Sequence, residues 1–345
     1  MTTISARGVS LRFLPLGGFL CDLRVTDEGR EVAPLHVAPW VGEALPDGLP
    51  VHLRTLQGDF LCAPFAGDDE GSGMHGWPAN AAWEVAEAGP ASLLARLSRT
   101  VRGAAVTKRL EVEDGHPFAY QTHAFEGGEG SVTVANHAMV AMPHGGSIRT
   151  SPKAFWETLA APLEPDPSRG RSSLRYPARA DDPSRFPRAD GGTADLTLYP
   201  WAERSEDFCA GVEAPGRRLG WTAVARPREG DLFLSLRDAR VLPMTMLWHS
   251  NRGRDYAPWS SRHVCLGVEE GAAAAMLGLS GAEASPPDLA LGGRREVRHV
   301  IGAVAWPSGE PVAEVAEEGE AIVVRGEGGA VRRLPFRAGF LGRDA

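Results

Sequence analysis

Short runs of alternating apolar and polar residues, separated by turns, recur along most of the chain. Residues 9–15 alternate, meet Gly17-Gly18 and are followed by residues 19–25, which gives a strand–turn–strand unit of period two. Similar runs lie at residues 104–112, 118–125, 131–135, 232–236, 244–248, 264–268 and 321–325. Since the strands are not interleaved with long helical patterns, the sequence predicts an all-β fold, a large antiparallel β-sandwich.

Helical patterning is limited to a few short stretches. Residues 91–97, 153–159 and 271–279 fit a helix, and the first fits a strand equally well. Residues 161–192 differ from the rest, because they hold six prolines among many Arg, Asp and Ser, which predicts an irregular loop. Strand patterning resumes after this loop in the same style. We therefore interpret residues 1–345 as a single domain with one long excursion.

Charge and apolar content exclude some partners. The net charge of −8 disfavours binding to nucleic acid, which needs a basic face, and suits a small neutral ligand. No run approaches the roughly 20 apolar residues that span a bilayer, so we expect no membrane contact. The start lacks the pattern of a secretory signal, and the four cysteines form no CxxC pair. These features predict a cytoplasmic protein and carry no information on self-association.

Two histidines and a glutamate stand beside β-type runs and suggest acid–base chemistry. They are His75, followed by Gly76, His137 after Asn136, and Glu269 at the end of an apolar run. A carboxylate and an imidazolium can open and close a sugar ring without a nucleophile or a redox centre. Neither an HxH nor an HExxH pattern is present, so the sequence predicts no metal and no cofactor.

The order and local context of these residues resemble the aldose 1-epimerase (galactose mutarotase-like) superfamily. The matching features are His75-Gly76 followed by Trp83-Glu84, the Asn136-His137 pair, and Glu269 after residues 264–268. The resemblance implies a β-supersandwich fold and interconversion of sugar anomers. It also implies Glu269 as general base, His137 as general acid to the ring oxygen, and His75 as a hydrogen-bonding partner of a small carbohydrate.

Five further residues are candidates for substrate binding: Asn136, Asp59, Arg254, Trp77 and Trp248. Asn136 belongs to the Asn-His pair, and the two tryptophans offer rings on which the C–H faces of a sugar can pack. Asp59 would replace a sugar ligand in a region where the family often has an arginine, which residues 58–61 lack. Arg254 lies in the segment that precedes the catalytic carboxylate.

Two questions stay open at the level of sequence. Glu269 is followed by Glu270 instead of a proline, so either carboxylate could face the cleft. The function also has alternatives, namely a non-catalytic carbohydrate-binding protein on the same fold, or a carbohydrate-active lyase or hydrolase. A hydrolase would need a second carboxylate opposite Glu269, for which Glu270, Asp255 and Asp59 are the candidates.

Overall fold

The computed structural model describes residues 1–69, 71–278 and 288–342. Its helices are short: α1 (Val51–Arg54), α2 (Gly76–Asn80) and two 3-10 helices, Pro183–Arg185 and Ala274–Leu277. In the described ranges no helix has the length and apolarity needed to cross a membrane. Nearly all other regular structure in these ranges is β-strand.

The strands are numbered in chain order. The first fourteen are β1 (Thr2–Ala6), β2 (Val9–Leu14), β3 (Phe19–Asp27), β4 (Arg30–Val32), β5 (Asp59–Cys62), β6 (Trp83–Ala88), β7 (Ser92–Val101), β8 (Ala104–Glu111), β9 (Phe118–Gly127), β10 (Ser131–Val132), β11 (Val134–Ala141), β12 (Gly146–Thr150), β13 (Lys153–Thr158) and β14 (Arg179–Ala180). The later strands are β15 (Phe186–Pro187), β16 (Thr193–Ala194), β17 (Leu198–Tyr199), β18 (Ser205–Glu213), β19 (Leu219–Arg226), β20 (Asp231–Asp238), β21 (Met244–Asn251), β22 (Val264–Ala272), β23 (Leu289–Ala290), β24 (Arg294–Ala305), β25 (Val312–Glu317), β26 (Ala321–Gly326) and β27 (Val331–Pro335).

Two large antiparallel sheets dominate the fold. Within the described ranges one has eleven strands, in the order β1-β2-β3-β5-β11-β22-β21-β18-β13-β14 with β4 beside β3. The other has nine, in the order β17-β12-β19-β20-β24-β9-β8-β7-β6. Residues from both sheets share one hydrophobic core, which includes Leu11, Leu23, Phe125 and Phe233. The prediction of a large antiparallel β-sandwich is therefore confirmed.

The eleven-stranded sheet is buried on its second face as well. This outer face points away from the nine-stranded sheet and carries a separate apolar cluster that includes Phe60, Met139, Met246 and Trp248. Loops and the two short α-helices cover it. Because both faces are buried, strands such as β11, β21 and β22 consist largely of buried residues instead of alternating buried and exposed ones.

Of the three stretches that fit a helix in sequence, two form strands and the third forms a short 3-10 helix over part of its length. Residues 92–101 and 153–158 are the strands β7 and β13, which pair with β8 and β18 respectively. Residues 271–272 end strand β22 and residues 274–277 form a 3-10 turn, while Leu279 lies outside the described residues. Cross-strand pairing overrides a weak local preference here. The other short helices lie outside these three stretches.

Part of the predicted irregular excursion, residues 161–192, is held against the large sheet. Its strand β14 extends that sheet by pairing with β13, and Leu174 and Phe186 are buried. The carboxylate of Asp207 accepts hydrogen bonds from the backbone N–H groups of Ser173 and Leu174 at 2.9 and 3.0 Å. A buried acceptor thus fixes the course of a segment that has little regular structure of its own.

Candidate active site

His137 and Glu269 meet on two neighbouring strands of the eleven-stranded sheet. Strands β11 and β22 pair antiparallel, and their register sets His137 directly opposite Glu269. The Nε2 atom of His137 lies 3.1 Å from Oε1 of Glu269, and the two side chains are only 5% and 2% exposed. The large sheet therefore holds an imidazole and a carboxylate in contact on its outer face.

Strand alternation sends the adjacent residues to the opposite face. Asn136 points into the space between the sheets, where its Oδ1 accepts a hydrogen bond from Nε2 of His123 at 2.7 Å. Glu270 points the same way and is paired with Arg237 at 2.7 Å and with the Thr245 hydroxyl at 2.9 Å. Glu269 is thus the glutamate on the outer face, and the expectation that Asn136 lies beside a bound sugar does not fit this placement.

His75 approaches His137 from a loop whose backbone is unusual. His75 itself has φ of 71° and Gly76 has φ of 74°, both in the left-handed region. A Cβ on Gly76 would lie 1.9 Å from the carbonyl oxygen of Ala63, so glycine is required after the histidine. The ring centroid of His75 lies 5.5 Å from that of His137, with the two planes perpendicular.

The tautomer of His75 follows from its backbone contact. The N–H of Ala66 donates to Nδ1 of His75 at 3.3 Å. A neutral imidazole that accepts at Nδ1 carries its proton on Nε2. His75 therefore presents an N–H donor at its other nitrogen, as a residue that binds a sugar hydroxyl requires.

His52, which the sequence did not single out, adds a third histidine. It lies in α1, and its ring centroid is 4.9 Å from that of His75. The side-chain oxygen of Asn80 contacts Nδ1 of His52 at 3.1 Å, while the Asn80 amide donates to the carbonyls of Met74 and Gly76. The four-residue helix has no motif that would have marked His52, since its closeness to His75 depends on the packing of two loops.

Aromatic rings enclose His137. The ring of Phe60 stacks on the imidazole with centroids 4.7 Å apart and planes 17° from parallel. Trp248 meets the imidazole edge-on at 5.9 Å, and its Nε1–H donates to Oε1 of Glu206 at 2.6 Å. Glu206 in turn forms an ion pair with Arg254. Two predicted binding residues, Trp248 and Arg254, therefore lie on the same face as the acid–base pair and are linked through a carboxylate.

Two other predicted binding residues are placed elsewhere. Asp59 is fully buried between the sheets, where Gln121 donates to its Oδ2 at 2.5 Å and Nδ1 of His299 lies 3.6 Å away. Trp77 packs against the core between the sheets, and the guanidinium of Arg99 lies 5.1 Å from its ring centroid. Neither side chain has a contact with His137 or Glu269, so the structure does not bring them to the site.

The Trp83-Glu84 pair also lies apart from the site. Trp83 is buried, with its Nε1–H donating to the carbonyl of Pro78 at 2.9 Å. Glu84 is exposed on the edge strand β6. This pair therefore supports the loop around His75 through Trp83 and contributes no carboxylate to the cluster.

Gly267 leaves the space that the Glu269 carboxylate occupies. Both residues are on β22 and, two positions apart, share the outer face. A Cβ on Gly267 would lie 2.7 Å from Oε1 of Glu269 and 2.9 Å from Cβ of Trp248. The Glu269 carboxylate extends along β22 toward Gly267, because glycine has no side chain to occupy that space.

A surface depression of about 1010 Å³ lies on the outer side of the nine-stranded sheet and contains none of these residues. Its lining includes Arg294, Arg298 and Arg337, each paired with glutamate side chains. Because these charges are compensated locally, the depression offers less distinctive chemistry than the His137–Glu269 pair. We therefore assign the candidate active site to the outer face of the larger sheet.

Comparison with known proteins gives a fold and no sequence relative. No protein-family model matches the chain, and no curated protein matches it either. Among solved structures, a candidate aldose 1-epimerase from Escherichia coli K12 superposes with a TM-score of 0.57 at 12% identity, over 87% of this chain and 97% of that one. The galactose mutarotase related enzyme from Lactobacillus acidophilus gives 0.56 at 12%, over 88% and 97%. The chain has the galactose mutarotase-like fold.

A third structure with this galactose mutarotase-like fold is a candidate aldose 1-epimerase from Klebsiella pneumoniae. It matches with a TM-score of 0.51 at 14% identity, over 88% of this chain and 78% of that one. Identities this low establish the fold alone. The function has to be argued from the site that this mutarotase-like chain itself builds.

Burial sets the protonation of that site. Loss of solvent raises the pKa of Glu269 well above its ordinary value and lowers the pKa of His137 to about 3. Burial also lowers the pKa of His75 well below its ordinary value, and His52 and His137 add to this effect. Burial thus favours the uncharged form of each partner, so Glu269 keeps its proton to a higher pH than a solvated glutamate does, in contact with a neutral imidazole 3.1 Å away.

Proposed function

We propose that the chain is an aldose 1-epimerase-like enzyme that interconverts the α and β anomers of a free sugar or a sugar derivative. The contact between His137 and Glu269 is the observation that carries the proposal. The O1 hydroxyl and the ring oxygen of an aldose are both bonded to C1. An acid and a base that serve these two oxygens must therefore lie side by side, as an imidazole and a carboxylate 3.1 Å apart do.

The proposed reaction uses one proton shared by the pair. In the tautomer with Glu269 ionised and His137 protonated, the carboxylate takes the proton from O1 while the imidazolium protonates the ring oxygen. The C1–O5 bond breaks and leaves an open-chain aldehyde. After rotation about the C1–C2 bond, the same two groups return the protons in the reverse sense and close the ring on the other face. No atom is gained or lost.

The surrounding residues position the sugar and the acid. His75 presents its Nε2–H to a sugar hydroxyl, while Phe60 keeps the plane of the His137 ring fixed by stacking on it. Trp248 offers an aromatic surface to the C–H face of the ring. Arg254 and Glu206 supply charged partners for hydroxyl groups farther from C1.

The same geometry gives less support to a glycoside hydrolase. Such enzymes use two carboxyl groups, about 5–5.5 Å or about 6.5–9.5 Å apart, on either side of the scissile bond. Glu270 and Asp59 point away between the sheets. Asp255 pairs with Arg171 at the surface. The immediate partner of Glu269 is an imidazole.

A carbohydrate-binding protein without turnover is the second candidate. The observation that favours it is the low exposure of the pair, 5% for His137 and 2% for Glu269. This leaves little room for the C1 atom of a sugar to reach the two side chains. Partly buried apolar side chains around the cluster would then supply the binding surface: Leu53, Phe155, Leu159, Tyr256 and Met276.

Exchange NMR on a panel of free aldoses and hexose 6-phosphates distinguishes these functions. We expect the wild-type chain to accelerate exchange between α and β anomers for at least one sugar, and Glu269→Gln to abolish the acceleration. Glu84→Gln is the matched control, because that carboxylate is exposed and distant. Ligand-induced shifts without exchange would favour the binding protein, and the absence of both would refute a carbohydrate function.

The cellular setting is proposed on separate grounds. The four cysteines, all within the described residues, are free and buried. Unpaired thiols are usual where the environment is reducing. This supports a cytoplasmic protein that acts on a small-molecule carbohydrate.

A further inference from the structure

A second cluster of chemically active side chains lies on the outer face, beside the sugar site. It consists of His36, His263 and Cys265. The ligand atoms of these three residues all lie within 4.8 Å of one another. The sequence predicted no metal because it holds neither an HxH nor an HExxH pattern, and His36 is far from the other two residues in the chain.

Strand geometry explains how the three meet. His263 directly precedes β22 and Cys265 is its second residue, so the two side chains point the same way from an extended backbone. His36 comes from an extended segment that is hydrogen-bonded to the sheet: its N–H donates to the Met139 carbonyl at 2.9 Å, and its carbonyl accepts from Gly58 at 2.8 Å. The position of each ligand is therefore set by a backbone that is itself fixed.

Two of the ligand atoms lack partners. Among the described residues, the Nε2 atoms of His36 and His263 are both buried and have no hydrogen-bond partner. An unsatisfied buried polar atom costs free energy, so two in one cluster point to a missing ligand. His263 is only 1% exposed, which rules out bulk water as its partner. His36 is partly exposed and gives an ion a route from solvent.

The surroundings of His263 orient it as a metal ligand. Its Nδ1 lies 2.8 Å from the hydroxyl of Ser250. When Nδ1–H donates to that oxygen, Nε2 presents its lone pair to the cluster, as metal-ligating histidines require. The rings of Trp40, Trp248 and Trp259 pack around the imidazole with centroids 5.1–5.3 Å away, and they restrict its rotation.

We propose that His36, His263 and Cys265 bind a thiophilic d¹⁰ cation, Zn²⁺ or Cu⁺. Two imidazoles and one thiolate suit both ions, whereas Mg²⁺ and Ca²⁺ prefer oxygen ligands. Metal–ligand bonds of about 2.0–2.3 Å place the ligand atoms roughly 3.5–4 Å apart, so the cluster contracts slightly around the ion. Binding displaces the Cys265 proton to solvent and forms the metal–sulfur bond.

Burial favours the uncharged form of each ligand. It lowers the pKa of His36 to about 4 and that of His263 well below its ordinary value, and it raises the pKa of the Cys265 thiol. The metal site is separate from the proposed sugar site, because the ring of Trp248 lies between His263 and His137.

The test is titration of the full-length, reduced, metal-free chain with Zn²⁺, and with Cu⁺ delivered from a chelator, against a competing chromophoric ligand. Co²⁺ serves as a spectroscopic probe, because a sulfur-to-cobalt charge-transfer band reports the thiolate. We expect one ion per chain, and a loss of affinity of at least about 100-fold in Cys265→Ser and in His36→Gln, since even residues that only support a ligand typically contribute 10–100-fold.

Two variants serve as matched controls. Cys209→Ser removes a thiol that is buried elsewhere, in the core between the sheets, and His144→Gln removes an exposed imidazole that bonds to Glu229. Both should bind within about twofold of wild type, far from the 10–100-fold range of a supporting residue.

His36 is partly exposed, so its variant is the least disruptive to folding, and circular dichroism checks each protein. Binding of zinc alone or copper alone would identify the ion. Binding of neither, or equal binding by wild type and the two ligand variants, would overturn the proposal.

Discussion

Replacing Glu269 by glutamine should make the folded chain more stable at alkaline pH, although it removes the proposed catalytic base. Glu269 is 2% exposed and its described partner is a single imidazole. Ionising it inside the protein without a compensating charge is unfavourable, so the folded state retains a proton that the unfolded chain releases. Glutamine has nearly the same shape and carries no charge at any pH.

The expected pH dependence follows from counting protons on the His137–Glu269 pair. In the unfolded chain Glu269 titrates near 4.5 and His137 near 6.5. In the folded chain, burial raises the pKa of Glu269 well above its ordinary value and lowers that of His137 to about 3. Above pH 6.5 the unfolded pair holds no proton. Wherever the folded Glu269 still holds its proton above that pH, the folded state binds more protons, and stability falls as pH rises.

In Glu269→Gln that extra proton is absent. The buried His137 is neutral in the folded variant and, above pH 6.5, in the unfolded variant too, so this site contributes no slope. One proton corresponds to about 1.4 kcal/mol per pH unit, so above pH 6.5 the variant should gain up to about 1.4 kcal/mol per pH unit relative to wild type, until the Glu269 carboxyl ionises in the folded chain. The count is the same whichever partner holds the proton in the folded state.

Urea unfolding at half-unit steps from pH 6.5 to 8.5, followed by tryptophan fluorescence, measures this difference. Subtracting the wild-type stability at each pH from that of Glu269→Gln removes the contributions of the groups that the two proteins share. Glu84→Gln, which replaces an exposed carboxylate, should give a difference from wild type that does not change with pH. A constant difference for Glu269→Gln, or a variant that loses stability relative to wild type as pH rises, would show that the His137–Glu269 pair holds no extra proton in the folded chain.

Three further substitutions probe the site. Gly76→Ala places a Cβ 1.9 Å from a carbonyl oxygen, so it should cost about 1–3 kcal/mol more in urea unfolding than Gly71→Ala, which has φ of 72° and open space around its Cβ; equal costs would mean that the clash is relieved. Gly267→Ala should displace the Glu269 carboxylate and slow anomer exchange by about 100-fold without unfolding the chain; an unchanged exchange rate would place the reaction elsewhere. Trp248→Phe keeps a ring but loses a 2.6 Å hydrogen bond to a carboxylate, so KM should rise by about tenfold with little change in kcat, and an unchanged KM would remove Trp248 from sugar binding.

The β architecture could be predicted from local pattern because strand periodicity is short-range. Residues 9–15 and 19–25 alternate in sequence, and β2 and β3 pair as that pattern predicts. The prediction of a helix at residues 153–159 was wrong for the same reason, because the run has weak local preferences and pairing with β18 decides its conformation.

The candidate site was predictable to the extent that it depends on residues with distinctive contexts. His75, His137 and Glu269 were singled out from their order and local context, and the structure brings both His75 and Glu269 next to His137. Asn136 could have been excluded from sequence alone, because consecutive residues of a regular strand face opposite sides and His137 already occupies the outer face. His52 could not have been found, since its short helix carries no signal.

The sequence by itself determined the periodicity of the strands, the positions of the turns and, through alternation, which residues of one strand share a face. Only the tertiary structure decided that both faces of the larger sheet are covered, that Glu269 and not Glu270 is on the outer face, and that His36, His263 and Cys265 meet. The physical reason is the distance along the chain between the residues that interact. Alternation and turn chemistry depend on neighbours in the chain, whereas burial, strand register and the meeting of distant side chains depend on how whole sheets pair and pack.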